Sequence, residues 1–498
     1  MRGMKHMSAS REKKKRQNQP EVISAQAPKK STNNGLKRLL TVVIAIVLVA
    51  AVVFLGMVST GFFQKHTTAA VVNGHKLTPA MLNYYYVGSY NNMSSYIGTV
   101  IDADIPLSEQ EYTGEGFDTW ADYLADMALS NAANTYAVYD EALANGFTLS
   151  EEGQAGIDSE LEMLDMYAAL YGFSDGNAML TSQYGIGSSK SSYKEFMTVS
   201  TIASEYSMQI QEGLTYTQEE LDAYYAEHSD DFDAVSYRLF SVNPTSLGLE
   251  EADVSSCEEI AKSIAAAAAG GEEAFFEAVK AALPEDQAEA YDADSATLRE
   301  NVTYAACPDA YRDWLADEAR QQGDVTYVES DEAGYYVLYF LHHEDHSFQL
   351  PNVRHILISA TDTTDEAAMA EAKAEAEGIL ETYLAGEQTE EAFAELAKEH
   401  SQDNAEAGGL YENIAPNTMV DTFDAWCYDI TRQPGDTGIV ETEYGYHVMY
   451  FVGPGVTYQD YMVENEMLYN DFTAWNEEVT ADVTRTMNKG AMRFLTDL

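Results

Sequence analysis

Two histidines, His355 and His447, lie near the opposite ends of one segment, and each stands in a run of residues with a β-strand pattern. Terminal strands of an α+β domain that lie side by side would bring the two imidazoles together. On these residues alone, two core histidines that hydrogen-bond to each other are the simpler interpretation. A catalytic site is the alternative, and it needs support from other residues.

A second group of side chains with chemical potential is the stretch His342-His343-Glu344-Asp345-His346, which offers metal ligands at close spacing. A solvated linker between two domains is the simpler interpretation, and we predict neither a metal nor a cofactor. The sequence contains no Walker loop, dinucleotide-binding fingerprint or nucleophile elbow.

The region from about Val235 to Gly453 contains an internal repeat. Residues 301–323 align with residues 413–435 without a gap, and this pairs Trp314 with Trp426. The opening runs (237–240 and 354–357) and the closing runs (334–340 and 445–451) match as well. Each copy has strand-like ends and helical sequence between them. We therefore predict two tandem α+β domains, at residues 232–345 and 350–453.

The second copy resembles the parvulin family of peptidyl-prolyl cis/trans isomerases over its whole length. Six motifs in family order carry the resemblance: Val353–Ile358, Phe393–Ala397, Ser401–Asp403, Gly408-Gly409, Met419–Phe423 and Gly445–His447. One departure is Gly409-Leu410-Tyr411-Glu412, where the family usually has G-D-L-G, and this puts the shape of that loop in doubt. Rotation of an X-Pro bond needs no nucleophile, metal or cofactor, only a site that favours the twisted amide.

The resemblance also implies roles for particular residues. His355, Asp403 and His447 are expected to form the polar catalytic cluster. Met419, Phe423 and Thr442 are expected to form the substrate-binding part of the site. Met419 and Phe423 would grip the proline ring, and Thr442 takes the family's hydrogen-bonding position before the last strand. In the first copy we place Arg238, Tyr336 and Cys307 at the positions of His355, His447 and Met419, so that copy is expected to keep the fold and lose the site.

Helical periodicity dominates residues 70–230, after a short hairpin with an Asn73-Gly74 turn. Capping boxes are predicted at Thr148 and Thr217, and a helix stop at Gly146. The domain loosely resembles the helical chaperone domain of SurA. Residues 457–498 are predicted to be helical and to pack on this domain.

Charge and hydropathy predict a membrane topology. Residues 1–38 carry a net charge of +9, are expected to be disordered, and should stay in the cytoplasm, whereas the rest of the chain carries −63. Residues 39–63 are predicted to be a single transmembrane helix, with the bulk of the chain outside the cell. A cleaved signal peptide is the competing interpretation. A lipoprotein is disfavoured because the apolar run ends Leu55-Gly56-Met57, without a cysteine to carry a lipid. The three cysteines of the chain cannot form a full disulfide framework because their number is odd.

The order of these parts resembles that of the PrsA and SurA types of extracytoplasmic foldase. We therefore predict a membrane-anchored isomerase and chaperone that acts on unfolded secreted polypeptides with X-Pro bonds. Nucleic acid is disfavoured as a partner because phosphates would be repelled, and the sequence leaves a homodimer open. The alternatives are a non-catalytic chaperone that uses the parvulin domains as scaffolds, and a structural protein that spaces surface partners.

Overall fold

The structure is a computed structural model that describes residues 34–498 apart from 94–97, 99, 103, 249–253, 331–333 and 497. The segment 1–38, predicted to be disordered, lies almost entirely outside the described residues. The chain forms two compact units. The first comprises residues up to 140, 148–202 and 483–498, and the second comprises residues 141–147 and 203–482.

The N-terminal helix α1 spans Asn34–Ser59. Its segment Leu39–Ser59 has a mean hydropathy of 3.1 and is not buried, and among the described residues it is the one helix long and apolar enough to cross a membrane. Gly61, in the left-handed region at φ +68°, separates α1 from the short helix α2 (Phe62–His66). The apolar helix therefore ends at Ser59, before the predicted end of the anchor at residue 63.

A three-stranded antiparallel sheet follows α2. Strands β1 (Ala70–Val72) and β2 (His75–Leu77) form the predicted hairpin, and both turn residues, Asn73 and Gly74, have positive φ. On its other side β1 pairs with β11 (Arg485–Met487), near the C-terminus. The prediction of an entirely helical C-terminal segment is therefore wrong for these residues.

Long helices make up the rest of the N-terminal region. They are α3 (Pro79–Asn92), α4 (Trp120–Ala144), α5 (Glu151–Leu170), α6 (Gly176–Tyr184), α7 (Lys190–Gly213) and α8 (Gln218–Phe232). On α4, Trp120, Leu124, Ala128 and Ala132 recur at intervals of four residues and are at most 2% exposed. This face of α4 forms the centre of the hydrophobic core of the first unit.

Local start and stop signals explain most of the helix ends. Thr217 and Glu220 form the predicted capping box at the start of α8. Gly146 has φ +77°, and the Phe147 N–H donates to the Ala142 carbonyl, which closes α4. The capping box predicted at Thr148 is wrong. The hydroxyl oxygen of Ser150 caps α5 instead by accepting from the Gly153 N–H, because Ser150 directly precedes the first helical residue.

The second unit contains two four-stranded antiparallel sheets. The first has the order β4-β3-β6-β5 and the second the order β8-β7-β10-β9. The first sheet comprises β3 (Ala234–Val242), β4 (Leu298–Thr303), β5 (Val325–Ser330) and β6 (Gly334–His343). The second comprises β7 (Gln349–Ser359), β8 (Leu410–Tyr411), β9 (Thr437–Thr442) and β10 (Gly445–Thr457). In both sheets, the first and last strands of the segment lie together at the centre.

Helices connect the strands in the same order in both segments. The first has α9 (Val254–Ala268), α10 (Glu272–Ala282), α11 (Glu285–Glu289), α12 (Ala293–Thr297) and α13 (Arg312–Leu315). The second has α14 (Glu366–Ala385), α15 (Glu390–His400) and α16 (Asp421–Cys427). Residues paired by the sequence repeat also share unusual backbone angles. Asn301 and Asn413 both have φ +50°, and Gly323 and Gly435 have φ +91° and +94°.

An arginine makes the same ion pair in each sheet. Arg238 Nε on β3 lies 2.9 Å from Glu272 Oε1, at the first residue of α10. Arg354 Nε on β7 lies 2.9 Å from Glu390 Oε1, at the first residue of α15. Each pair ties a central strand to the start of a helix, so Arg238 is the counterpart of Arg354.

The strand pairing gives the same alignment. Leu239 lies opposite Leu338, and His355 lies opposite Met449, at matching positions of β6 and β10. The prediction that Arg238 stands at the position of His355 is therefore wrong by one residue. An apolar side chain, Leu239, takes that position in the first sheet.

The C-terminal helix α17 (Tyr458–Thr480) packs against α8 within the second unit. Leu221, Phe232 and Val463 are the buried residues of this contact. The Tyr216 hydroxyl donates to Asp471 at 2.9 Å and fastens the far end of the pair. After α17 the chain returns to the first unit through β11 and the short helix α18 (Lys489–Met492).

Candidate functional site

The two histidines lie on the central strands of the second sheet. His447 on β10 is opposite Leu357 on β7, and His355 stands two residues from Leu357 on the same strand. Residues two apart on a strand point to the same face of a sheet, so the histidines are diagonal neighbours on one face. Successive side chains of a strand point to opposite faces of the sheet, and this alternation together with the strand register places the two imidazoles next to each other.

Hydrogen bonds join the site residues into a chain. His355 Nδ1 lies 2.9 Å from His447 Nδ1, and His447 Nε2 lies 2.9 Å from Thr442 Oγ1. His355 Nε2 lies 3.3 Å from Asp403 Oδ2, without good hydrogen-bond alignment. His355 is 2% exposed and His447 is 5% exposed. These polar contacts link four of the six predicted site residues.

Donor and acceptor chemistry gives this chain a direction. A neutral imidazole has one N–H and one lone pair, and an ionised carboxylate can only accept. If His355 Nε2 carries the proton that faces Asp403, its Nδ1 must accept from His447 Nδ1–H. His447 Nε2 then accepts from the Thr442 hydroxyl, whose oxygen in turn accepts the Tyr444 N–H at 3.2 Å. With both histidines neutral, each of the two 2.9 Å contacts has one donor and one acceptor.

The electrostatics of the site favour that neutral state. Burial lowers the pKa of His355 below its ordinary value, and the Asp403 carboxylate opposes this shift only partly. Burial also lowers the pKa of His447, and the neighbouring His355 lowers it further. Both imidazoles are therefore uncharged at neutral pH and act as hydrogen-bonding groups rather than as cations.

Tyr411 is a further residue of the site that the sequence interpretation missed. Its hydroxyl donates to Asp403 Oδ2 at 3.1 Å, and its ring meets the His355 ring edge-on with centroids 5.1 Å apart. Burial and the nearby Asp403 raise the pKa of the Tyr411 hydroxyl, which keeps it protonated and able to donate. The departure from the family pattern at this loop was the available signal.

The glycines before Tyr411 explain how the loop keeps its shape despite that departure. Gly409 has φ +67°, and a Cβ there would overlap the His355 carbonyl oxygen. The His355 N–H donates to the Gly409 carbonyl at 2.9 Å. This close approach leads directly into β8, which pairs Tyr411 with Val353 on β7.

An apolar floor lies beside the imidazoles. Phe423 on α16 is 3% exposed, and its ring meets the His355 and His447 rings edge-on at 5.3 and 5.4 Å. Met419 is half-buried and packs in the same hydrophobic cluster as Phe423. A groove of about 610 Å³ opens next to Thr442, between the start of α16 and the end of β9.

This arrangement suits binding and polarisation better than covalent chemistry. Burial raises the pKa of the nearby Cys427 thiol to about 12, so it is not a ready nucleophile. In the part of the chain that the structure describes, no three His, Cys, Asp or Glu side chains are placed to hold a metal, including those of the stretch 342–346. What remains is the apolar floor of Met419 and Phe423 next to two buried, neutral, hydrogen-bonded imidazoles.

A four-stranded antiparallel sheet with two hydrogen-bonded histidines on its central strands, flanked by a Met and a Phe side chain, is the arrangement expected of a parvulin-type domain. Residues 355–453 match the Rotamase family, described as the PPIC-type PPIASE domain. The chain therefore carries a parvulin-type peptidyl-prolyl isomerase domain.

Relatives match the same part of the chain. Foldase protein PrsA 1 of Listeria innocua serovar 6a is 36% identical over 102 residues, which are 20% of this chain and 29% of that protein. Foldase protein PrsA 1 of Listeria monocytogenes serotype 4b is 35% identical over 102 residues, with the same two shares. The chain thus spans less than a third of the length of these curated relatives.

Solved structures align over more of the chain but at low similarity. The crystal structure of PrsA from Bacillus subtilis aligns with 75% of this chain and 90% of its own, at 16% identity and a TM-score of 0.27. That of the peptidylprolyl isomerase PrsA from Bacillus cereus aligns with 61% and 92%, at 16% identity and a TM-score of 0.19. Scores this low carry no argument about the remaining domains.

The first sheet has different side chains at the equivalent positions. Leu239 and Tyr336 stand where the second sheet has its histidines, and Cys307 and Tyr311 stand where it has Met419 and Phe423. Tyr311 and Tyr336 meet edge-on at 5.4 Å, the same contact that Phe423 makes with His447. The apolar packing is retained there without the imidazole pair.

Proposed function

We propose that this chain is a membrane-anchored, extracytoplasmic peptidyl-prolyl cis/trans isomerase that also holds unfolded secreted polypeptides. The observation that carries the isomerase assignment is the chain Thr442–His447–His355–Asp403, with both imidazoles buried, beside the apolar side chains of Met419 and Phe423. The family match of residues 355–453 supports the same reaction. The activity, clients and anchoring of the whole protein remain part of the proposal.

In the proposed mechanism, one group of side chains binds the proline ring and another polarises the carbonyl group before proline. Amide resonance sets the barrier to X-Pro rotation at about 18–20 kcal/mol, so any contact that favours the twisted amide accelerates the reaction. Met419 and Phe423 grip the proline ring and fix one side of the bond. The carbonyl before proline then turns against the histidine chain, which offers oriented dipoles without a net positive charge.

The test is isomerisation of a panel of X-Pro peptides, followed by NMR exchange or by a protease-coupled assay on the full chain in detergent. His355→Ala and His447→Ala are each expected to lower kcat/KM by at least tenfold. Tyr336→Phe, at the equivalent position of the first sheet, is the matched control and should leave the rate unchanged. Wild-type rates in both histidine variants would overturn the catalytic assignment.

A holding function is the second candidate, and exposed apolar residues on α5 favour it. Met166, Leu170 and Tyr171 are 58%, 73% and 68% exposed near the end of this helix. Exposed side chains of this kind, methionine among them, suit contacts with varied polypeptides. Met166→Ser with Leu170→Ser should weaken suppression of client aggregation without changing isomerase rates. Unchanged suppression would place client holding elsewhere.

The remaining assignments follow from the arrangement of the chain. We propose that residues 232–345 are a degenerate parvulin domain that spaces the active domain or holds clients weakly, since the strand order and the arginine ion pair recur there. We propose that α1 spans the membrane with the basic N-terminus in the cytoplasm, supported by its exposed apolar surface. Protease protection of the N-terminus in sealed vesicles tests this orientation.

A further inference from the structure

The chain carries an unusual distribution of charge around the end of α1. Residues 102–482 contain 12 Lys or Arg and 79 Asp or Glu. Residues 60–101 and 483–498 together contain five Lys or Arg and a single acidic residue. Both basic segments adjoin the proposed membrane span. Residues 60–101 follow it directly in the sequence, and residues 483–498 are brought next to its end by the fold.

Hydrogen bonds and ring contacts bring these segments together within the first unit. The Asn488 N–H donates to the Ala69 carbonyl, and the Asn488 side-chain amide donates to the Thr68 carbonyl at 3.0 Å. The Phe494 ring stacks on the Phe63 ring of α2, with centroids 5.3 Å apart and planes 5° apart. The C-terminal residues therefore lie directly beside the point where α1 ends.

The exit of α1 is held against the first unit. Gly61, at φ +68°, lies close to the loop between α6 and α7. A Cβ at this position would be 2.8 Å from the Ile186 side chain and 3.0 Å from the Gly187 nitrogen. Phe62 is 41% exposed and Ile186 is 47% exposed at this exit. Apolar side chains are thus presented to the surroundings beside the end of an apolar helix.

Three cations lie on this part of the first unit, and Asp122 lines the same cavity as Lys489 and Arg493. Lys65, Lys489 and Arg493 are exposed, and within the described ranges none of them forms an ion pair with a carboxylate. Lys65 Nζ donates to the Thr60 carbonyl at 3.3 Å, next to the end of α1. The Arg493 guanidinium lies over the Phe494 ring at 4.9 Å. Arg485, by contrast, pairs with Asp126 at 3.8 Å.

We propose that Phe62, Lys65, Ile186, Lys489 and Arg493 form a juxtamembrane patch that binds the anionic lipid headgroups around the outer end of α1. Aromatic residues with adjacent cations suit the headgroup level of a bilayer, and basic side chains there attract anionic lipids. The rest of the outer part is strongly acidic and would be repelled by such a surface. The patch therefore fixes which face of the first unit meets the membrane. This inference rests on the proposed anchoring, but not on the isomerase assignment.

The test uses the full chain in nanodiscs of phosphatidylcholine alone and in nanodiscs with 30% phosphatidylglycerol. Hydrogen exchange of the amides in residues 488–495 is the readout. We expect exchange to be at least threefold slower in the anionic nanodiscs, and the difference to disappear in 1 M salt, where the screening length is about 3 Å.

The triple variant K65Q/K489Q/R493Q should lose this difference. The control K280Q/K373Q, which removes two exposed cations from the second unit, should retain it. Equal exchange in the two lipid mixtures, or an unchanged difference in the triple variant, would overturn the proposal.

Failure of the chain to enter nanodiscs at all would overturn both the patch and the anchor. Entry without any lipid dependence would overturn the patch alone. X-Pro isomerisation measured on the same samples reports on the proposed enzyme independently.

Discussion

Thr442 ends the hydrogen-bonded chain, with its Oγ1 2.9 Å from His447 Nε2, and it donates to that nitrogen when the His355 Nε2 proton faces Asp403. Replacing it with valine keeps the shape and leaves that nitrogen without a partner in a buried site. An unsatisfied buried acceptor costs about 1–3 kcal/mol, so Thr442→Val should lower the free energy of unfolding by that amount. It should also lower kcat/KM by about tenfold, since about 1.4 kcal/mol corresponds to a factor of ten.

Urea denaturation and the X-Pro assay measure the two effects of Thr442→Val. Thr437→Val, on the same strand β9 but away from the histidines, is the matched control. Equal behaviour of the two variants would show that the Thr442 hydroxyl does not support the site.

Tyr411→Phe removes only the hydroxyl that donates to Asp403. The ring contact with His355 should persist, so stability should change little. We expect a several-fold fall in kcat/KM because the carboxylate loses the donor that holds it. The exposed Tyr444→Phe, in the same domain, is the control. A rate equal to wild type in Tyr411→Phe would make this hydroxyl dispensable.

The lowered pKa values of His355 and His447 predict how stability depends on pH. In the unfolded chain both histidines bind protons near pH 6.5, but in the folded domain they bind them only at lower pH. Stability is therefore fully present above about pH 6.5 and falls as the pH drops toward the folded pKa values. Each histidine should contribute a loss of about 1.4 kcal/mol per pH unit in that window.

Urea unfolding of the chain at pH 5 and pH 8 measures this dependence. His447→Asn should flatten the pH dependence of the transition, whereas the more exposed His400→Gln should not. A slope that is the same in wild type and His447→Asn would contradict the burial of a neutral imidazole.

The sequence predicts individual site residues best where both the side-chain type and the position in a strand are constrained. The strand pattern predicted that His355 and His447 would meet, because alternation leaves few other arrangements. It could not identify Tyr411, because the role of that residue depends on a hydrogen bond across a loop whose sequence departs from the family. The wrong alignment of Arg238 has a similar origin. A sequence alignment of two strands can be shifted by one residue without an obvious mismatch. The ion pair of Arg238 with Glu272 fixes the correct register because Arg354 makes the same pair in the second sheet.

At the scale of elements, β11 is the least predictable part of the fold. A strand of three residues is too short to show alternation, and its partner β1 lies at the other end of the chain. For that reason the helical pattern of α17 predicts a helix that continues to residue 498, although the helix ends at Thr480. The Thr148 error has a local cause, because Ser150 stands two residues later and directly precedes the first helical residue.

Asn488 gives a direct test of the C-terminal contribution to the first unit. Its side chain caps α18 and also donates to the Thr68 carbonyl. Asn488→Ala should destabilise the small sheet by about 1–2 kcal/mol, as expected for the loss of a cap and a hydrogen bond. Faster hydrogen exchange of the β1 amides would measure this. Asn476→Ala on α17 is the control, and equal protection of β1 in both variants would contradict the prediction.

At the scale of the whole molecule, the contrast between the two sheets predicts where activity resides. Both have the same strand order, but only the second has imidazoles at its centre. The full chain with His355→Ala and His447→Ala combined should therefore retain no more than about 1% of wild-type isomerase activity, while circular dichroism remains native. Residual activity near the wild-type level would assign catalysis to the first sheet. Residues 232–346 and 347–455, assayed separately, would then locate it.

The pairing of β1 with β11 also has a consequence for the timing of folding. Ala70 lies opposite Met487, so β1 cannot complete its sheet until more than 400 further residues have been made. At synthesis rates of about 5–20 residues per second, that delay is about 20–80 s. During this time β1 and β2 lack the third strand of their sheet. A protein proposed to assist the folding of others would thus complete one of its own sheets late in its synthesis, and that sheet would be open to proteolysis until then.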